Sequence, residues 1–256
     1  MTLTTATFAP DVLAGRTALV TGGSRGIGAA TALALAGAGA DVAISFSGSA
    51  PRAEAVVREI EALGRRAVAY KADQADPAQV AELVSAVAAD FGRLDILVNN
   101  AGVIATGPIG EAADTEALAR QYAVNVGGVT AGIRAAATVL ADGGRIVTIG
   151  SYLAVRPTRP GIADYAAGKA AVAAFSRAAA LELAPRAITV NVVQSGSVNT
   201  EMNPEDGPNA DAQRALNALG RYGRPEELAA TVVFLATPAA AFITGSVLAV
   251  DGGFFA

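Results

Sequence analysis

At 256 residues, 52% of them apolar and 16% charged, the chain suits one large packed α/β domain and excludes a disordered polypeptide. A net charge of −4 leaves no basic surplus to neutralise phosphates, so a general nucleic-acid binder is not expected. With no histidine and no cysteine, a Ser-His-Asp triad, thiol catalysis, disulfides and the usual zinc sites are impossible, and no metal centre is expected. Acid–base work must fall to Tyr, Lys, Asp, Glu or a cofactor.

Met1 to Arg16 shows no cationic start followed by an apolar run, so no signal peptide is read and a cytoplasmic protein is expected. Short β-rich runs then alternate with alanine-rich helical stretches. Strands are predicted at Thr17–Thr21, Asp41–Phe46, Ala67–Lys71, Leu94–Val98, Arg145–Ile149, Ile188–Val193 and Ser246–Val250. Helices are predicted at about Gly26–Ala38, Arg52–Leu63, Pro77–Phe91, Thr115–Leu140 and Ala163–Ala184. Ser49-Ala-Pro51 and Asp76-Pro77 read as helix starts, where proline is tolerated in a first turn.

Such alternation predicts a doubly wound, seven-stranded parallel sheet of the Rossmann-like α/β class, in a single domain spanning residues 1–256. Leu228–Val250 carries no charge and is long enough to span a bilayer. Pro238, Gly245 and its many alanines favour a soluble helix (Pro225–Thr237), a turn and a buried strand instead, so no membrane partner is expected. Residues 199–224, with Pro204, Gly207, Pro208 and Gly220, break the rhythm after the sixth strand. Ligands bind beyond the carboxyl ends of parallel strands, so this insertion is read as a mobile substrate lid, a plain surface loop being the alternative.

Thr21-Gly22-Gly23-Ser24-Arg25-Gly26-Ile27-Gly28 joins the first strand to the first helix. Glycines allow a tight turn and close backbone approach to a pyrophosphate, and the helix N-terminus supplies N–H groups and partial positive charge. Gly37 and Gly39 form a decoy at the end of the same helix. An acidic residue closing the second strand would bind a ribose 2′-hydroxyl and repel a 2′-phosphate. Here Phe46-Ser47-Gly48-Ser49 has no carboxylate, and Arg25 lies in the turn. A guanidinium plus hydroxyls suits a phosphate, which favours NADP(H).

Tyr165 and Lys169, four apart on a helix, share a face. A neighbouring ammonium favours phenolate, so Lys169 is expected to lower the tyrosine's ordinary pKa near 10. Ser151, ending the fifth strand, could hydrogen-bond a substrate oxygen beside Tyr165. As a bare pattern the pair is more often a surface accident; its setting raises it.

With Gly22, Gly26, Gly28, Asp73, Asn99-Asn100-Ala101-Gly102, Asn125, Ser151, Tyr165 and Lys169 in this order, the chain resembles the short-chain dehydrogenase/reductase family from Arg16 to Gly253. The resemblance implies a catalytic set of Asn125, Ser151, Tyr165 and Lys169. Asn125 would hold a water that relays protons to Lys169, Ser151 would orient the carbonyl oxygen, and Tyr165 would protonate it as hydride arrives. It also implies cofactor contacts at Gly22, Ser24, Arg25, Ile27, Gly28, Ser47, Asp73, Gln74, Asn99, Ala101, Gly102, Tyr165, Lys169, Val198 and Thr200. Asp73 would meet the adenine, Asn99–Gly102 the adenosine ribose, Lys169 the nicotinamide ribose and Thr200 the carboxamide.

Three departures from the family pattern stand out. Ser195 replaces a proline before Gly196, which is expected to loosen the following loop. The Ser151–Tyr165 spacing is one residue long, and Gly150 stands where a second serine is common. Apolar pocket walls are expected from Val103–Ile104, Tyr152–Leu153, Met202 and Leu216–Leu219, suiting a small-molecule ketone or alcohol. Arg156, Arg159, Arg221 and Arg224 could form a rim for an acidic carrier protein, or be plain surface residues. The leading expectation is an NADPH-dependent reductase of a 3-oxoacyl or other apolar ketone. The alternatives are an NAD-linked dehydrogenase of a secondary or sugar alcohol, and a non-catalytic NADP-binding regulator. Ala249–Gly253 resembles the family's subunit-contact region, which implies a homotetramer.

Overall fold

The structure, a computed structural model, describes residues 11–110 and 112–256; the reading of Met1–Arg16 as free of a signal lies mostly outside them. Among the described residues seven strands form the sheet: β1 (Thr17–Val20), β2 (Asp41–Phe46), β3 (Ala67–Lys71), β4 (Leu94–Asn99), β5 (Leu140–Ser151), β6 (Thr189–Ser195) and β7 (Val247–Val250). The five inner ones are largely buried on both faces, as parallel strands must be, while the edge strands β3 and β7 are only partly buried. All pairings are parallel and the order is β3-β2-β1-β4-β5-β6-β7. Helices α1 (Gly26–Gly37), α2 (Ala50–Ala62) and α8 (Pro225–Ala236) cover one face; α3 (Pro77–Phe91), α5 (Val129–Val139) and α6 (Ala163–Leu183) cover the other. The strand pleat sorts the core. In β1, Ala18 and Val20 join the first layer while Leu19 between them joins the second. This is the doubly wound Rossmann-like fold expected.

Local chemistry explains most boundaries. Asp76 caps α3, its Oδ1 accepting from the amides of Ala78 (2.9 Å) and Gln79 (3.3 Å). Ser49 precedes α2 but makes no side-chain cap, so that start rests on the proline. The single helix expected over Thr115–Leu140 is three pieces: α4 (Thr115–Tyr122), a π-helical segment Ala123–Gly128, and α5. Where the bulge ends, Gly128 lies against Gln74; a β-carbon there would stand 2.2 Å from the Gln74 carbonyl oxygen. Leu228–Val250 divides into most of α8, a short turn and β7. Among the described residues no helix is long and apolar enough to cross a membrane.

At the amino ends of the strands, the buried Asp95 carboxylate gathers Arg16 (2.8 Å), Arg93 (2.6 and 2.7 Å) and the Thr17 amide (2.9 Å). Burial pushes this carboxyl up, but the hydrogen bonds from Arg93, Thr17 and Arg16 outweigh it and hold it below the usual carboxylate range. A depressed folded-state value contributes stability above the unfolded pKa of about 3.9, and that stability is lost as pH falls through the lower value. Asp95→Asn should therefore cost about 2–4 kcal/mol near neutral pH. In urea denaturation the deficit should shrink below about pH 4; a deficit unchanged there would exclude the carboxylate as its source.

Candidate active site

β1 and β4 are neighbours, yet their following helices depart to opposite faces, and the crevice opens where they part. Thr21 and Asn100 staple its floor. Thr21 Oγ1 accepts from the amides of Asn100 (3.0 Å) and Ala101 (3.1 Å). Asn100 Nδ2 donates to the carbonyls of Thr21 (2.9 Å) and Gly22 (3.2 Å). Gly22, at φ +64°, must be glycine on two counts: a β-carbon would also lie 2.9 Å from Ala101 Cα. A β-carbon on Gly28 would stand 2.3 Å from the Gly22 carbonyl oxygen, so helix and turn pack this closely only without a side chain. α1 then begins with no side-chain cap and no acid in its first turn, leaving its first N–H groups to an anion. Thr200, from the loop after β6, sits over Gly26.

Beside the turn lies a hollow of about 480 Å³ lined by Ser47, Gly48, Lys71, Ala72, Asp73, Gln79 and Arg120. Asp73 is not free within it. Its carboxylate takes both Arg120 nitrogens (2.9 and 3.1 Å) and the Ala75 amide (2.9 Å), and these bonds, Arg120's first, hold it below the usual range. Arg25 is likewise engaged: with Arg52, from the first turn of α2, it brackets Glu201 at 3.0 and 2.8 Å. A carboxylate thus already stands in for an oxyanion between these guanidiniums, and residues and hollow together fit a phosphorylated dinucleotide. Lys71, Arg120, Arg52 and Glu201 lie in no sequence motif that marks them for this site. Arg52, just past the Ser47–Ser49 turn, was the one with a local signal.

Ser151 ends β5 and Tyr165 and Lys169 lie in the first turns of α6. Lys169 is buried and donates to the Ile149 carbonyl at 2.8 Å, with its Nζ 5.8 Å from the Tyr165 ring centre. Burial lowers its pKa to about 8. The phenol differs from expectation. Burial pushes Tyr165 up to about 12, opposed by the Ser151 hydroxyl, so desolvation rather than the neighbouring ammonium sets its value. Ser151 Oγ accepts the Leu153 amide (3.2 Å), which leaves its own proton to donate elsewhere.

Asn125 occupies the π-helical segment, a distortion common at functional sites. Its amide bonds both backbone groups of Val103, accepting at 2.9 Å and donating at 2.8 Å, which takes one Oδ1 lone pair and one Nδ2 hydrogen and fixes the side chain. Gly102 lies between it and Lys169: a β-carbon there would reach within 3.4 Å of Asn125 Oδ1 and 3.9 Å of Lys169 Nζ. Ser24 and Ala101 sit in the two turns and Ile27 packs on the core. Three residues expected at the cofactor turn their side chains elsewhere. Asn99 reaches Thr148 (3.5 Å), Gln74 packs under Gly128, and Val198 joins the core. They could serve a ligand only through the backbone.

Residues 199–224 are built rather than plain. Helix α7 (Ala210–Ala215) carries Gln213, which accepts from Ser197 (2.6 Å) and exchanges amide bonds with Asn203 (2.9 Å each). Leu219 bonds the Gly252 carbonyl (3.0 Å), tying the segment to the C-terminus. Val103, Ile104, Met202 and Leu219 are exposed, as wall residues would be. Tyr152 is not: it is buried against Phe254, ring centres 4.2 Å apart, and Arg156 lies 5.2 Å from the same ring. Ser195 donates to the Gly150 carbonyl (3.0 Å), so where the missing proline was expected to loosen the loop, a hydrogen bond fastens it beside Ser151.

Comparison with known proteins agrees with this geometry. A family model described as enoyl-(acyl carrier protein) reductase matches residues 22–255. A 3-oxoacyl-[acyl-carrier-protein] reductase of Synechocystis is 42% identical over 251 residues, covering 94% of this chain and 97% of that protein. The cyclic-di-GMP-binding biofilm dispersal mediator protein of Escherichia coli is 39% identical, covering 94% and 97%. A crystal structure of a short-chain dehydrogenase from Burkholderia cenocepacia in complex with NADP superposes with a TM-score of 0.93 at 50% identity, covering 95% and 99% of the two chains. The chain belongs to the short-chain dehydrogenase/reductase family of oxidoreductases.

Proposed function

We propose that the protein is an NADP(H)-dependent reductase that converts a ketone bearing apolar groups to a secondary alcohol. The observation that carries this reading is a buried Lys169, with no carboxylate against it among the described residues, beside a protonated Tyr165 and Ser151. For the cofactor, support comes from the absence of an acid at the end of β2 and from the Arg25 and Arg52 pair. The NADP-bound relative agrees with it.

NADPH bound along the glycine turn would supply a hydride to the carbonyl carbon. Ser151 donates a hydrogen bond to the carbonyl oxygen and fixes its direction. Tyr165, held protonated with a pKa of about 12, passes its proton to that oxygen as negative charge develops there, completing the alcohol. The phenolate left behind is stabilised by the Lys169 charge. Asn125 acts as a positioning residue by fixing the 102–103 backbone, and residues 199–224 close over the substrate as a lid. A small free ketone fits better than a carrier-borne one, since Arg221 is paired with Glu227 and Arg156 is stacked. Leu181 on α6 and Phe242 before β7 are at least 80% exposed, which supports burial against further copies in a homotetramer. Light scattering should then give a mass about four times 25.4 kDa.

Tyr165→Phe should lower kcat for ketone reduction by about 10²–10⁴-fold while leaving the Kd for NADP⁺ within about twofold. Full activity in that variant would remove Tyr165 as the acid. Because the Lys169 value is about 8, kcat should hold steady below that pH and fall above it as the ammonium is lost. A rate that rises through pH 8–9 would instead indicate a phenolate base and favour the oxidative direction.

A further inference from the structure

Glu201 is the carboxylate held between Arg25 and Arg52. It follows Thr200 at the root of the lid segment, where the Thr200–Asn203 turn is closed by backbone bonds of 3.0 and 3.4 Å. Its carboxylate reaches Arg25 in the glycine turn and both of its oxygens reach Arg52 in the first turn of α2. The guanidiniums converge on one oxygen, Oε2, at 3.0 and 2.8 Å. Two cations held this close are a site for a single multivalent oxyanion. Arg25 lies in the turn after β1, and Arg52 in the first turn of α2 just past Ser47–Ser49, which follow the end of β2; the end of β2 is where a dinucleotide fold reads the ribose 2′ position.

We propose that Glu201 is an internal competitor for the 2′-phosphate, and that Arg52 is the second cation that receives this phosphate once Glu201 is displaced. The inference rests on the NADP(H) reading above. A phosphate of charge near −2 takes more from the two guanidiniums than one carboxylate does, and it repels Glu201. All three side chains are at least half exposed, so the internal bonds are individually weak and readily exchanged. NAD(H) lacks the phosphate and leaves the bonds intact. Arrival of NADP(H) therefore does two things that NAD(H) cannot. It fills the Arg25–Arg52 clamp, and it frees the root of the segment that carries Thr200 and Met202 toward the site. Glu201 thus lowers the affinity for NADP(H) and couples lid release to the correct cofactor.

The test is isothermal titration of the purified protein, without substrate, using NADP⁺ and NAD⁺ in low salt. Glu201→Gln keeps the shape and removes the charge; it should tighten NADP⁺ by about three- to tenfold and leave NAD⁺ within about twofold. The gain should fade in about 0.5 M salt. Arg52→Gln should weaken NADP⁺ by about five- to tenfold, again sparing NAD⁺. Both positions are exposed, and circular dichroism checks the fold of each variant. If wild type prefers NADP⁺ but Glu201→Gln is unchanged or weaker, the competitor role is overturned and the cofactor reading stands. If wild type shows no preference while Glu201→Gln prefers NADP⁺, the cofactor reading falls and the competitor role stands. No preference in either protein overturns both.

Discussion

The crevice depends on a single junction. β1 and β4 run side by side, but their chains leave toward opposite faces of the sheet, and two strands that part this way would leave backbone groups unpaired where they diverge. Thr21 and Asn100 meet that need with four hydrogen bonds between the two turns. The bonds bring Gly22 against Ala101 so closely that neither a side chain nor an ordinary φ would fit. The start of α1, the 100–103 turn and, through Val103, the Asn125 amide all take their positions from this join.

The electrostatics of the site are set by burial more than by pairing. Lys169 has no carboxylate against it among the described residues, only the Ile149 carbonyl, and desolvation alone explains its lowered pKa. Tyr165 moves the other way for the same reason. Burial shifts each group toward its neutral form, yet a Lys169 value of about 8 keeps the ammonium near neutral pH, so the site holds a desolvated positive charge beside the phenol. In the proposed reduction, a substrate oxygen gathering negative charge would be stabilised there, which is how a desolvated charge becomes useful. At the opposite end of the sheet Asp95 shows the contrary design. There the charge is buried too, yet every lone pair direction meets a donor, and the carboxylate serves the fold.

Local patterns made much of this legible. The boundaries of β2, β3 and α3 match the sequence reading to the residue, because apolar runs bounded by Pro, Gly and Asp are self-contained signals. The long helix through Asn125 does not, since it is interrupted by a π-helical segment at Ala123–Gly128, and neither that interruption nor the close approach of Gly128 to Gln74 leaves a trace in helix periodicity. Asp73 was found but not its bond to Arg120, forty-seven residues onward. Tyr152 was placed in the pocket wall because nothing in its neighbourhood announces Phe254.

What the residues alone determined is the alphabet of the chemistry. The lack of histidine and cysteine left acid–base work to Tyr, Lys, Asp, Glu or a cofactor, the glycines defined where a phosphate could approach, and alternating β and α runs dictated a covered parallel sheet. What only the tertiary structure decided is the state and partnership of those groups. Proton affinity follows from how much water a fold removes, so Tyr165 is pushed up where the adjacent lysine had suggested a fall. Partnership follows from which distant segments the crossovers bring together, so Arg25, expected to await a phosphate, is found sharing Glu201 with Arg52. Neither quantity is local, and no window of sequence contains it.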